Sequence, residues 1–158
     1  MLSDAEKLAA LIEDIRIAIV TTVEPDGTLH SRPLQTLRFA EGMLWFFTAL
    51  DSAKVQELRR DIRVSVAYAH PPKNAYVTVA GTGAVLKDLA KAQELWTPFA
   101  RAFFPAGVED PRLALLQVHV ERAEIWTGGG MAAQLFAVAW AAATGEPVEV
   151  RTTRKLRP

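Results

Sequence analysis

Two tight turns in close succession constrain this chain more than any other feature. Glu24-Pro25-Asp26-Gly27 separates a β-branched run, Ile17 to Val23, from a second extended run, Thr28 to Phe39, and Ala40-Glu41-Gly42 then leads into Met43 to Thr48. Proline presets φ for the second turn position, and aspartate and glycine complete the reversal. Connections this short cannot carry a parallel crossover. The three runs are therefore predicted to form two successive antiparallel hairpins.

The remaining elements follow from changes of period. Leu8, Leu11, Ile12 and Ile15 recur at helical spacing after a Ser3 or Asp4 cap with Glu6 close by, which predicts a short amphipathic opening helix. Beyond Asp51 or Ser52 as N-cap, Val55 and Leu58 read as the inward positions of a helix, with Lys54, Glu57, Arg59 and Arg60 outward. Arg63 to Ala69 and Ala75 to Leu86 are further strands, divided by Pro71-Pro72-Lys73-Asn74. Gly81 and Gly83 interrupt the second of these and predict a bulge or a close backbone approach. Leu89, Ala92, Leu95 and Trp96 form a helical stripe after Asp88. Thr97-Pro98 then restarts a helix through Phe99 and Phe103, and a loop spans Pro105 to Pro111.

The last long strand is Leu113 to Trp126, with Leu116, Val118, Val120 and Ala123 in the core. Gly128-Gly129-Gly130 reads as a flexible turn, Met131 to Ala143 as an alanine-rich helix, and 145–158 as a flexible basic tail carrying Arg151, Arg154, Lys155 and Arg157. No repeat or second domain is visible, so 1–158 is read as a single domain. Six sequential strands on so short a chain close most economically as a small antiparallel barrel with helices outside, an α+β fold.

Composition narrows the function classes. The chain has 158 residues with 18 basic and 18 acidic side chains, so no global field draws it to nucleic acid or an anionic membrane, and any anion must be caught locally. Without cysteine there is no disulfide, thiolate nucleophile or iron–sulfur cluster. No leader-like or membrane-spanning run is seen, which leads to the expectation of a cytoplasmic protein. His30, His70 and His119 lack metal-ligand spacing, and no metal is expected.

One segment does gather anion-binding chemistry. Arg32 comes from the second strand, Thr48 from the end of the third, and Ser52 and Lys54 from the start of the helix that follows. Together they supply a guanidinium fork, two hydroxyls, an ammonium and helix N-terminal N–H groups, the donor set of a phosphomonoester site. A phosphorylated cofactor is the expectation.

The order of these pieces resembles the general stress protein branch of the pyridoxamine 5′-phosphate oxidase-like superfamily, the FMN-binding split barrels. The resemblance runs through His30-Ser31-Arg32-Pro33, Leu44-Trp45-Phe46-Phe47-Thr48, Ser52-Ala53-Lys54, Val64-Ser65-Val66 with Tyr68, Tyr76 to Gly81, Asp88, Trp96, Phe104-Pro105 and Ala123-Glu124-Ile125-Trp126. It implies an antiparallel six-stranded split β-barrel of Greek-key type with peripheral helices, assembled as a homodimer with FMN at the subunit interface. It also implies that Arg32, Ser52 and Lys54 hold the phosphate. The main chain around Pro33, Leu34, Gln35 and Thr36, and at Phe47 and Thr48, would run along the ring, with Trp126 contributed by the second subunit.

The chain departs from the oxidase after Trp126, where the basic, histidine-containing motif that grips pyridoxamine phosphate has no counterpart, so oxidation of that vitamer is not expected. No side chain stands out as a proton donor. A flavin-dependent oxidoreductase with an unidentified small-molecule redox partner leads; a non-catalytic module that sequesters FMN or senses stress is the alternative. A split barrel holding a deazaflavin or haem is a third reading, and Arg32 with Ser52 and Lys54 favours a terminal phosphate over haem.

Overall fold

The computed structural model describes residues 3–128, 138–139, 141–142 and 151–156. Helix α1 (Asp4–Ile15) begins where Ser3 Oγ accepts from the Glu6 N–H while the Glu6 carboxylate accepts from the Ser3 N–H, a reciprocal capping box. Its Leu8 and Ile12 are buried and lie over the barrel core.

Strands β1 (Ile17–Val23) and β2 (Leu29–Gln35) pair antiparallel around the Pro25-Asp26-Gly27 turn. Strands β3 (Arg38–Ala40) and β4 (Met43–Ala49) pair around Glu41-Gly42, both at positive φ, as a two-residue hairpin of this twist requires. Helix α2 (Ala53–Arg60) crosses to β5 (Arg63–His70), which pairs with β1 and with β6 (Ala75–Leu86). Strand β6 pairs with the long β7 (Leu113–Gly128), whose first half also pairs with β4.

The strand order β2-β1-β5-β6-β7-β4-β3 explains the barrel. β2 and β3 sit at opposite ends of this path, yet only Thr36 and Leu37 separate them in the chain, so the sheet must curl until its two edges meet. The chain bridges them without a complete ladder. Thr36 N–H donates to the Arg16 carbonyl beside β1 at 2.7 Å, and Leu37 N–H donates to the Trp45 carbonyl on β4 at 2.8 Å. The result is a barrel with a split, and the buried side chains of alternate positions, among them Val20, Phe46, Val66, Val79, Leu116 and Val118, fill it.

The expected core of β7 changes parity between Val120 and Ala123, and the ladder shows why. Ala80 faces Arg122 while Gly81 faces Val120, so Glu121 is the extra residue of a bulge. A Cβ on Gly81 would lie 1.9 Å from the His119 carbonyl oxygen, the close approach that the glycine permits.

Three expectations are corrected. The single strand expected over Thr28–Phe39 is broken into β2 and β3 at Thr36, whose buried hydroxyl bonds the Tyr68 phenol at 2.8 Å. The helix expected from Pro98 is a 3-10 segment, Pro98–Ala102, while α3 (Leu89–Leu95) follows its Asp88 cap as expected. Within the segment read as a flexible basic tail, Arg151–Leu156 forms β8 and pairs with β7 from Ala123 to Gly128. The sheet therefore has eight strands where six were expected. Residues 138–139 and 141–142 are helical, as the alanine-rich stretch suggests. The rest of that stretch, Gly129-Gly130, 145–150 and 157–158 lie outside the described residues.

Candidate functional site

The split that the chain leaves in the barrel holds a cavity of about 470 Å³, within the range of small-molecule sites. One wall is β2 and its exit, Pro33, Leu34, Gln35 and Leu37. The other is the end of β4, Phe47, Thr48 and Ala49, and Ile17, Lys54, Phe99, Ala100, Phe103, Phe104 and Arg112 complete the lining.

Backbone chemistry distinguishes the β2 wall. Because Thr36 N–H points to Arg16 and Leu37 N–H points the other way, to Trp45, main-chain groups alternate along this strand. Ser31, Pro33 and Gln35 share the parity of Leu37 and present their groups to the open edge. Pro33 has no N–H to lose there, which is why an edge strand tolerates it. The edge thus offers the Gln35 N–H flanked by carbonyls, a donor and acceptors for a planar heterocycle.

At the start of α2, polar groups converge. Ser52 is the N-cap by backbone geometry, but its side chain does not cap the helix. Instead Ser52 Oγ lies 3.3 Å from Thr48 Oγ1 and 3.2 Å from Lys54 Nζ. The first-turn N–H groups are left without a capping side chain, and Lys54, half-buried, forms no ion pair among the described residues. Burial, then the Arg32 charge, pushes the Lys54 ammonium below the ordinary lysine value, against the pull of Glu57 and Asp51. A half-buried cation beside two hydroxyls and a helix N-terminus is an arrangement that can receive an anion.

Arg32 is where sequence reasoning was incomplete. Its guanidinium is near enough to shift Lys54, but Nη1 donates to Thr22 Oγ1 and Nη2 donates to Glu57 Oε2 at 2.9 Å. Glu57 was expected to face outward and is instead 5% exposed. Burial alone would raise its carboxyl, but hydrogen bonds from Thr22, His30 and Arg32 outweigh that and hold it at about 2. His30 Nδ1 lies 3.1 Å from Glu57 Oε1 and 3.4 Å from Glu24 Oε1. Counting histidine spacings missed this grouping of Glu24, His30 and Glu57, whose atoms lie within 4.8 Å of one another. It forms only when the first hairpin folds against α2.

Phe47 was expected along the ring, but the other aromatic side chains of this wall were not expected at a site. Phe47 packs against Trp96 and Phe104 at 5.6 and 6.4 Å between ring centroids, while Phe99 and Phe103 meet with tilted rings at 5.5 Å and remain largely exposed at the cavity mouth. Arg112, over the Phe104 ring and bonded to the Phe103 carbonyl, is a second cation on the lining. Its only sequence signal was a basic residue before a strand.

Of the expected residues, Pro33, Leu34, Gln35, Phe47, Thr48 and Lys54 line the cavity, Ser52 touches two of its polar groups, Thr36 anchors the strand break beside it and Arg32 stands behind it. Trp126 does not join them within one chain. It pairs with Tyr76 on the far reach of β7. It does share a sheet face with the cavity rim: Pro33, Ile19, Ala67, Thr78 and Glu124 stand in register across β2, β1, β5, β6 and β7, and the Tyr76–Trp126 pair lies on the same outward face.

Comparison with known proteins bears on the fold and the family. Protein bli-3 of Neurospora crassa is 23% identical, over 94% of this chain and 77% of its own length. The crystal structure of the general stress FMN/FAD binding protein from Xanthomonas citri matches with a TM-score of 0.66 and 28% identity, covering 77% of this chain and 86% of that one. A pyridoxamine 5′-phosphate oxidase-related, FMN binding protein from Nostoc punctiforme matches along 99% of this chain and 98% of its own, with a TM-score of 0.67 and 18% identity. The model of the family described as pyridoxamine 5′-phosphate oxidase like covers residues 3–149, and the chain belongs to that family.

Proposed function

We propose that this protein binds FMN in the split of the barrel, as a homodimer in the cytoplasm, and performs two-electron flavin chemistry with a small-molecule partner. The observation that carries the reading is the cavity itself: a slot walled by an unpaired strand edge and aromatic rings, ending in Thr48, Ser52, Lys54 and the start of α2. Its polar end and its aromatic wall support a ligand with a phosphate and a planar ring, as in flavin mononucleotide. The phosphate would lie at Lys54, Ser52 and Thr48 with Arg32 behind, and the ring along Pro33 to Gln35 and Phe47. Bound there, FMN supplies reversible hydride acceptance. The chain's own residues would bind and orient it, and Phe99, Phe103 and Phe104 would keep water from it. The flavin-binding name of the Xanthomonas citri protein supports the choice of ligand.

The outward face of β2, β1, β5 and β6 supports the dimer. Ile17 and Ile19 are 49% and 44% exposed there, beside Pro33, Ala67 and Thr78, and the face is continuous with the cavity rim. A second copy on this face would bring its Trp126 toward the cavity of the first. One observation favours the non-catalytic alternative: among the described residues the lining has no carboxyl, imidazole or phenol to move a proton.

The purified protein tests both. Its visible spectrum and the mass of any released cofactor identify the flavin, and anaerobic mixing with NADH and NADPH, then with an acceptor panel, reads turnover. Bleaching and reoxidation over many cycles supports the oxidoreductase. Stoichiometric FMN that no donor reduces and no acceptor reoxidises supports a binding module. Absence of flavin uptake ends the proposal.

A further inference from the structure

We infer that Glu57 is a positioning residue for the phosphate end of the cavity, fixing the Arg32 guanidinium behind it so that a phosphate meets a cation already held in place. This rests on the FMN reading above. Arg32 emerges from β2, an edge strand, and its long stem alone would leave the head group many orientations. Glu57 Oε2 fixes Nη2 at 2.9 Å, and Thr22 Oγ1 accepts from Nη1 while donating its own proton to the same carboxylate oxygen. One hydroxyl proton and one acceptor site are used, so the triad is internally satisfied. The other carboxylate oxygen faces His30 Nδ1 at 3.1 Å. Among the described residues two of the five guanidinium N–H donors are committed, which leaves three for a ligand.

Placement on the chain strengthens the point. Lys54 stands in the first turn of α2 and Glu57 follows three residues later, so one short helix carries the ammonium and the carboxylate that sets the guanidinium. Arg32 is thereby registered to Lys54 although it comes from a different element.

Glu57 also carries negative charge close to a proposed dianion, and the two effects have opposite signs. If positioning dominates, neutralising Glu57 weakens FMN binding. If it acts as a counterweight to Arg32, neutralising it tightens FMN binding.

The experiment titrates flavin-free protein with FMN and with riboflavin, for wild type, Glu57→Gln, Arg32→Ala and the double variant. The expected result is that Glu57→Gln lowers FMN affinity about tenfold, the scale of one charge-assisted hydrogen bond, while riboflavin affinity stays unchanged. In the Arg32→Ala background the Glu57 change should no longer weaken FMN binding, and a loss that persists there overturns the inference. Should Glu57→Gln fail to fold by circular dichroism, Glu57→Asp, which keeps the charge but not the reach, is expected to show the same phosphate-selective loss. Unchanged or tighter FMN binding, or equal loss of both ligands, overturns the inference. A wild-type protein that binds FMN no better than riboflavin overturns the functional reading itself, and this inference with it.

Discussion

Gly81→Ala should be among the most damaging single-methyl additions available in this protein. The added Cβ would lie 1.9 Å from the His119 carbonyl oxygen, 3.0 Å from its carbonyl carbon and 3.4 Å from Val120 Cα, all main-chain atoms of β7. No rotamer change relieves a clash with backbone. Either β6 or β7 moves beside the Glu121 bulge, and the ladder that joins the two halves of the sheet is disturbed. Overpacking of this kind costs about 1–3 kcal/mol, and a lost ladder hydrogen bond adds about 0.5–1.5 kcal/mol. The expected destabilisation is about 2–4 kcal/mol, a large share of the roughly 5–15 kcal/mol that holds a domain together. For a chain of this length that corresponds to a Tm lowered by roughly 5–15 °C. Urea or thermal unfolding of the flavin-free protein measures it, with Gly42→Ala as the control. Gly42 has φ +73° and nothing within 4 Å of a built Cβ, so it should lose only the left-handed penalty of about 1–2 kcal/mol. A Gly81→Ala protein as stable as wild type would refute the close approach and the register that creates it.

Three other outcomes follow from the same structure. Tyr68→Phe should cost about 1–2 kcal/mol in chemical denaturation, because it leaves the buried Thr36 hydroxyl without its 2.8 Å partner at the β2–β3 break. Glu57, held at about 2 in the fold against 4.5 ordinarily, adds stability that is full above pH 4.5 and lost as the pH falls toward 2, at most about 3 kcal/mol; Glu57→Gln should flatten that acid limb of a stability–pH curve, and an unchanged limb would contradict the network. Lys54→Met should stabilise the flavin-free protein, since the fold disfavours this ammonium, yet weaken FMN binding by about 1.5–3 kcal/mol in a calorimetric titration while sparing riboflavin.

What the sequence made legible was local. The Ser3–Glu6 box, the Glu41-Gly42 turn and the bulge with close approach at Gly81 each carry their signal within a few residues, and each appears in the structure as expected. The convergence of Thr48, Ser52 and Lys54 was legible for the same reason, being confined to one strand end and one helix start. Features made by distant pairing were not. Glu57 reads as solvent-facing from helical period because Val55 and Leu58 define the apolar side, and only the arrival of Thr22 and Arg32 from the first hairpin makes its burial tolerable. Phe99 and Phe103 look like a helical stripe, whereas Phe99 lies in the 3-10 segment Pro98–Ala102 and Phe103 is its C-cap, both at the cavity mouth. Arg151–Leu156 is basic enough to read as a solvated tail, and its pairing is set by the free edge of β7, which no local pattern reveals.

The most direct test of the account is a crystal structure of the protein with FMN. The account predicts the phosphate within hydrogen-bonding distance of Lys54 Nζ and Ser52 Oγ, the ring beside the open edge of β2 at Pro33 to Gln35, and Trp126 of a second copy near the cavity. A flavin bound with its phosphate away from Lys54, or on a different surface of the barrel, would contradict it.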